Sequence, residues 1–361
     1  MAAGGTPKLG VVGVGRLWEA RHRPALRQPY PPLRVTACFD QVARRAEREA
    51  ELFRARAASS LRGLIFGADV EAVAFVTRQW FHPLGVEWAI EAGRPVFVAV
   101  DPVDDWADYV GLVERMTRTE APVFLELERR HLPALRRLIQ LREERLGPIH
   151  HIRFTLKKRV DATRTTSVPP AEPAVGLAIE TIAGLRARTP RRVEFRPRAF
   201  ALDDAGGKAQ SGWRIDFADD VEVEVVESDQ PRWSLAIRAE AGEAVWDGPN
   251  SIRWRETIPN HNTPGTGTSV VGDWQTEEMT GAEAVGHDSL AQFAAAIGCP
   301  ERFAWQRNAD QRLVAWAQAA AQSRDIGAAV LDSPPRIDSD LNSDPSVTDR
   351  TRNPGQGETH S

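Results

Sequence analysis

The stretch Lys8 to Gly15, KLGVVGVG, limits what this chain can fold into more than any other. It reads as a buried strand that ends in a Gly-x-Gly turn. A helix follows, and then a second strand, Arg34 to Phe39, which closes on Asp40. This is the pattern of a βαβ unit built to receive a dinucleotide. Glycine at positions 13 and 15 keeps side chains away from a pyrophosphate, and the helix start beyond them offers free N–H groups to its oxygens. Gly13, Gly15, Arg16 and Leu17 are therefore the candidate phosphate contacts. Asp40 can accept hydrogen bonds from ribose hydroxyls, or it can cap the helix that starts near Val42. Where such loops carry a third glycine this chain has Trp18, whose indole must either pack against the sheet or crowd the phosphates.

Strand and helix patterns then alternate. Strands are expected at Glu71–Val76, Pro95–Ala99 and Pro122–Leu127, with helices between them, one of which opens near Pro83 and ends at Gly93. Alternation of this kind predicts a doubly wound, parallel α/β sheet over residues 1–127. The pattern changes after a helix spanning His131–Arg145. A run of strands follows, from Ile149–Lys157 to Ile252–Arg255, and several alternate apolar with polar, as in Val221-Glu-Val-Glu-Val225. Residues 128–332 should thus form an α+β domain with a large, open, mainly antiparallel sheet. One apolar helix, Val175–Leu185, interrupts the strands, and Ala282–Ile297 and Ala309–Ala321 follow them. Pro259–Asp273 reads as a long loop, and residues 333–361, rich in Pro, Ser, Asp and Asn, as a disordered tail.

Composition narrows the function classes. At 361 residues the chain can bury two cores, and its net charge of -4 with interspersed signs gives no nucleic-acid surface and no anionic-membrane patch. No apolar run approaches a membrane span and no signal core precedes the first strand, so a cytoplasmic protein is expected. Cys38 and Cys299 are far apart and read as reduced structural thiols. There are eleven Trp against two Tyr. Trp213, Trp233, Trp246 and Trp254 fall in or near the strands of the open sheet, where they would suit an interface between copies of the chain.

Several strings, in this order, resemble the Gfo/Idh/MocA oxidoreductases, the relatives of glucose–fructose oxidoreductase and inositol dehydrogenase. They are Gly13-Val-Gly15-Arg-Leu with His22 and Pro24-Ala-Leu26, Asp69 to Thr77 with His82, Glu91-Ala-Gly93-Arg-Pro-Val96, Arg129 to Leu138, and Ser323 to Gly327. The resemblance covers about residues 8–331. It implies NAD or NADP as cofactor, a sugar or polyol substrate, and a homodimer or homotetramer formed through the open sheet. It also places Thr77 and His82 beside the nicotinamide. Arg44 and Arg45 could reach the 2′-phosphate of NADP, but no Arg-rich clamp adjoins Asp40, which favours NAD.

The residues that carry the family's chemistry differ. The family's Glu-Lys-Pro reads Val100-Asp101-Pro102 here, so aspartate stands for the lysine that assists proton transfer. The helix motif D-x-G-x-H-x-x-D aligns with Gly176 to Ala183, so Glu180 stands for the acid/base histidine and Gly176 for the first aspartate. Asp101 and Glu180 are the candidate catalytic positions. If they face each other they would share a proton, in a cleft lacking an electropositive clamp. Three readings follow. The first is a rewired oxidoreductase using Asp101, Glu180 or the cations Lys157, Lys158 and Arg159. The second, favoured because Trp18, Asp101 and Glu180 all depart from the pattern, is a degenerate member acting as a scaffold or regulatory partner. The third is a hydrolytic or metal site, for which two acids without a His or Cys cluster are a poor signature.

Overall fold

The computed structural model describes residues 5–76, 82–101, 106–157, 172–186, 190–200, 210–217, 221–228, 233–248, 251–259, 269–279 and 281–331. The first domain is a six-stranded sheet in the order β3-β2-β1-β4-β5-β6, formed by Lys8–Val12 (β1), Arg34–Phe39 (β2), Arg56–Ala57 (β3), Ala72–Phe75 (β4), Val96–Ala99 (β5) and Val123–Glu126 (β6). Every pairing is parallel. Continuous apolar runs such as Ala72–Phe75 are buried on both faces, because helices cover each side of the sheet. The early helices are Arg23–Leu26 (α1), Ala43–Phe53 (α2), Leu61–Ile65 (α3), His82–Glu91 (α4) and Trp106–Thr119 (α5). The strand order reverses between β1 and β4, and ligands of such sheets bind at that switch point, beyond the carboxyl ends of the strands.

The expected helix His131–Arg145 is broken up. Glu128–His131 forms a 3-10 turn, Leu132 is extended, and an α-helix runs only over Pro133–Leu141 (α6) before a π-type turn, Arg142–Leu146. Pro133 sits in the first turn of α6, and proline disfavours helical backbone in the residue before it. The second domain then lays down Ile149–Lys157 (β7), helix Glu172–Arg186 (α7), Arg192–Phe200 (β8), Gln210–Asp216 (β9), Glu222–Ser228 (β10), Ser234–Ala239 (β11), Gly242–Trp246 (β12), Ser251–Pro259 (β13), Ser269–Val271 (β14) and Gln275–Glu278 (β15). Helices Ala282–Gly298 (α8) and Glu301–Ile326 (α9) and the short strand Val330–Leu331 (β16) end the described chain. The ten-stranded sheet has the order β14-β13-β12-β11-β7-β10-β9-β8-β16, with β15 on β13. All its pairs are antiparallel except β7 with β10. Within the expected loop Pro259–Asp273, β14 pairs with β13.

Register explains where the tryptophans go. One cross-strand row on the inner face reads Phe195, Trp213, Val225, Phe154, Leu235, Trp246 and Ile252. Trp213 and Trp246 are fully buried there, Trp254 is nearly so, and Trp233 packs edge-on against Trp246 at 4.4 Å between ring centres. The expectation that these four line an interface is therefore corrected: they build the core beneath α6, α7 and α9. The neighbouring row on the outer face is charged instead, reading Glu194, Arg214, Glu224 and Arg153 across β8, β9, β10 and β7. His150 is exposed and His151 half-buried, 3.7 Å from Glu224, so the adjacent pair divides between the two faces.

The last two helices return to the first domain. Leu290, Phe293 and Ala296 of α8 join the core over one face of the parallel sheet, and Leu313 of α9 joins the core on the other. Among the described residues no helix is long and apolar enough to cross a membrane.

Candidate functional site

The Gly-x-Gly turn lies at the carboxyl end of β1. Gly13 has φ 88°, a left-handed value that a side chain would strain, and its N–H donates to Phe39 O at 2.8 Å. A methyl group built on Gly15 would meet nothing within 4 Å. Asp40 holds the turn in shape: Oδ2 accepts from Val14 N at 3.0 Å and Oδ1 from Val42 N at 2.9 Å. Its two possible roles thus coexist. It caps the entry to α2 and ties it to the glycine turn, and a carboxylate with two accepted bonds retains acceptor capacity for a ribose hydroxyl. Arg16 is exposed and Leu17 is half-buried against the adjacent core. Arg44 and Arg45 are exposed in the first turn of α2.

Trp18 does not crowd this turn. It is buried to 1% exposure, its Nε1 donates to Glu49 Oε2 at 2.9 Å, and its ring lies 5.7 Å from that of Phe53 on α2. The bulk is accommodated by winding: Trp18–His22 is a π-type turn, which passes into α1 with Pro24 in its first turn. The glycine turn, with open space above Gly15 and the indole directed away, fits a pyrophosphate. Cys38 on β2 is a free thiol that burial, with the Glu49 charge adding to it, pushes up to about 12.

Behind the turn lies a buried ionic cluster. His22 Nε2 contacts both oxygens of Glu126, at 3.0 and 2.9 Å, and Ser289 of α8 donates to Glu126 Oε1 at 2.6 Å. Burial pushes the Glu126 carboxyl up, but His22, Arg21 and Ser289 outweigh it and bring it down to about 2. A depressed carboxylate stabilises the fold above its unfolded value of 4.5 and loses that contribution as pH falls through about 2. The shift corresponds to roughly 3 kcal/mol. Between about pH 5.5 and pH 3, urea unfolding of the native chain should therefore weaken more than that of Glu126→Gln. Equal slopes in the two proteins would contradict this.

Glu180 is paired with an arginine. Glu180, midway along α7, accepts from Arg130 Nε at 3.0 Å and Nη2 at 2.6 Å, both on Oε1. Arg130 Nη1 reaches Asp310 Oδ1 on α9 at 2.6 Å, where Tyr109 OH of α5 also donates at 3.1 Å. Burial raises the Asp310 carboxyl to about 6 against the pull of Arg130, and its Oδ2 is buried with no hydrogen-bond partner among the described residues. Burial likewise raises the Tyr109 hydroxyl, with Asp310 adding to it. Asp101 is half-buried just beyond β5 and acts on the charge of Arg129, as do Glu128 and Glu180. Arg129 and Arg130 thus lie side by side just past the end of β6, the second of them bound to Glu180 and Asp310.

Gly176, in place of the family's first aspartate, marks a close helix crossing. A Cβ there would lie 3.0 Å from both Leu313 O and the Ala317 Cβ on α9. Ala183 is half-buried against the second core. Thr77, Lys158 and Arg159 lie outside the described residues. His82 opens α4 and Lys157 closes β7, with nothing described of either side chain. Among the described residues no group of three or more His, Cys, Asp or Glu is placed to hold a metal ion. Sequence reasoning passed over Arg129, Arg130, Asp310 and Tyr109 as site residues. The signal for the arginines was their place just beyond the fifth strand of a doubly wound sheet, where ligands bind.

Residues 8–126 match the model of an oxidoreductase family with an NAD-binding Rossmann fold, GFO_IDH_MocA. A search of curated proteins finds no match. Solved structures show the same fold over most of the chain. GenD2 from gentamicin A biosynthesis, in complex with NAD, is 18% identical, with a TM-score of 0.60 over 91% of this chain and 96% of its own. The UDP-N-acetylglucosamine 3-dehydrogenase GnnA from Acidithiobacillus ferrooxidans is also 18% identical, with a TM-score of 0.57 over 89% of this chain and 97% of its own. A super-repressor mutant of Gal80p from Saccharomyces cerevisiae is 10% identical, with a TM-score of 0.64 over 91% of this chain and 99% of its own. Residues 8–126 thus match the NAD-binding Rossmann domain of the Gfo/Idh/MocA oxidoreductases, and the chain shares its fold with these solved structures through the second domain.

Proposed function

We propose that the chain is an NAD(P)-binding protein in which the position of the family's histidine is taken up by a structural ion cluster, and that it acts as a regulatory or partner protein rather than by hydride transfer. The observation that carries this reading is the Arg130 cluster. Glu180, at the position of the family's histidine, is bound to a guanidinium that also holds Asp310. Its Oε1 is committed to two guanidinium N–H bonds inside the fold rather than presented to a substrate hydroxyl. The likeness to a yeast repressor protein supports a regulatory role.

Gly13, Gly15, Arg16 and Leu17 would hold the pyrophosphate, Asp40 the adenosine ribose, and Thr77 and His82 the nicotinamide side. NAD is favoured over NADP, with Arg44 and Arg45 the residues to watch. A dinucleotide, when bound, supplies a hydride acceptor or donor at the cleft. A second reading is an active sugar or polyol oxidoreductase in which Asp101 takes the hydroxyl proton beside the Arg129 charge. It is supported by the through-space coupling of those two residues and by the sugar-nucleotide dehydrogenase among the similar folds.

Nicotinamide absorbance measured on a panel of sugars and polyols separates the two. The first reading expects no turnover by the native chain, and turnover that Asp101→Asn abolishes would establish the second. Gly15→Val tests the cofactor site. It should change stability by less than about 0.5 kcal/mol, as surface substitutions do, while abolishing the response to dinucleotide. An unchanged response would place the site elsewhere. Self-association as a homodimer or homotetramer through the open sheet belongs to the same proposal, and light scattering tests it, a monomer being the contrary result.

A further inference from the structure

Helix α2 buries three of its side chains, Ala46, Glu49 and Ala50. An acid between two alanines is costly unless its oxygens are used, and both are. Glu49 Oε2 accepts from Trp18 Nε1 at 2.9 Å, and Oε1 accepts from Arg23 Nη1 and Arg48 Nε, each at 3.2 Å. The arginines reach in from partly exposed positions. The indole and the carboxylate are both closed to solvent, so neither end of the Trp18 bond has water as a substitute.

Trp18 belongs to the first turn after the glycines, where Glu19 N donates to Gly15 O at 3.0 Å. A Cβ on Gly15 would meet open space. An indole at position 18 thus has two places to go, the pocket against Phe53 and the space that the phosphates need. Apolar packing favours the pocket but is not directional, whereas the N–H bond to Glu49 is. We infer that Glu49 is a positioning residue for the dinucleotide site: its carboxylate draws the Trp18 indole into the core and so keeps the phosphate turn clear. Without that acceptor the buried N–H is left unpaired, and the ring moves over the turn, where water reaches the donor. This rests on the reading above that the glycine turn receives a dinucleotide.

Calorimetric titration of the full chain with NAD⁺ and NADH tests it in four proteins: native, Glu49→Met, Trp18→Leu and the double variant. Methionine keeps the volume at position 49 and removes the acceptor. Apparent affinity falls with the fraction of chains left in the binding-competent state, and the lost bond shifts that equilibrium by one order of magnitude or more. Glu49→Met should therefore bind about tenfold or more weakly than the native chain. Trp18→Leu has no ring to place over the turn and should bind like the native chain, and the double variant should bind like Trp18→Leu. A merely structural role for Glu49 would weaken the double variant as much as Glu49→Met, and that result would overturn the inference. So would native affinity in Glu49→Met. If Glu49→Met does not fold, Trp18→Phe removes the same bond from the other end and leaves Glu49 its arginines. It should then bind more weakly than Trp18→Leu, and equal affinities would overturn the inference. Binding by the native chain and by Glu49→Met alike defeats this inference alone, whereas no binding by the native chain defeats the cofactor reading and this inference with it.

Discussion

Arg130→Met should destabilise the fold by about 3–5 kcal/mol, the cost of breaking a buried ion pair by removing one partner. The side chain lies between Glu180 on α7 and Asp310 on α9, with only 14% of its own surface exposed. Its removal leaves two acids facing each other without the charge that held them. Methionine fills much of the same volume, so lost packing contributes little. Asp310→Asn should cost less, because ionisation at that position is already opposed by burial, as its rise to about 6 reflects. Tyr109 and Arg130 would still have an amide oxygen to donate to. Urea unfolding of the two variants at neutral pH makes the comparison. A loss below about 1 kcal/mol for Arg130→Met, typical of an exposed pair, would mean that the cluster is not what joins α5, α7 and α9.

The second large effect is at Gly176. Gly176→Asp reinstates the residue that the family motif carries there, and it should destabilise the chain by at least about 3 kcal/mol, because overpacking alone costs 1–3 and a buried charge adds to it. The Cβ would lie 3.0 Å from a backbone carbonyl of α9, which can yield only if the whole helix shifts. Gly176→Ala meets the same atoms without the charge and should cost about 1–3 kcal/mol. If Gly176→Asp unfolded like the native chain, the α7–α9 contact would have to be looser than the geometry shows, and the family's acid could be restored in place.

The parallel sheet was legible because β1, β4, β5 and β6 are short apolar runs bounded by glycine and proline, and burial on both faces demands such runs. The open sheet was legible from alternation, as in Glu222–Val226. β15, with the sequence Gln-Thr-Glu-Glu, has no apolar side to show and was not visible in the sequence. The start of α9 was also missed. Glu301–Asn308 follows Pro300 and mixes charged residues with Phe303 and Trp305, yet the helix begins there, eight residues before the start expected at Ala309. Of the site, Gly13, Gly15 and Asp40 declared themselves because backbone geometry dictates those residue types. The Arg130 cluster did not, because its four residues come from four separate elements, and only the packing of α7 and α9 brings them together. Trp18 was ambiguous for a related reason. Its direction depends on Glu49 and Phe53, a turn and a strand later in the chain.

The central claim is that the glycine turn remains a working dinucleotide site behind an indole that has turned away. Thermal unfolding with and without NAD⁺, NADH, NADP⁺ and NADPH tests it most directly. A ligand at a hundredfold excess over its dissociation constant adds about 2.7 kcal/mol of stability. The midpoint should therefore rise clearly with NAD⁺ or NADH, and less with the phosphorylated pair. No rise with any of the four, at millimolar concentration, would contradict the account and leave the family's fold in this chain without the family's cofactor.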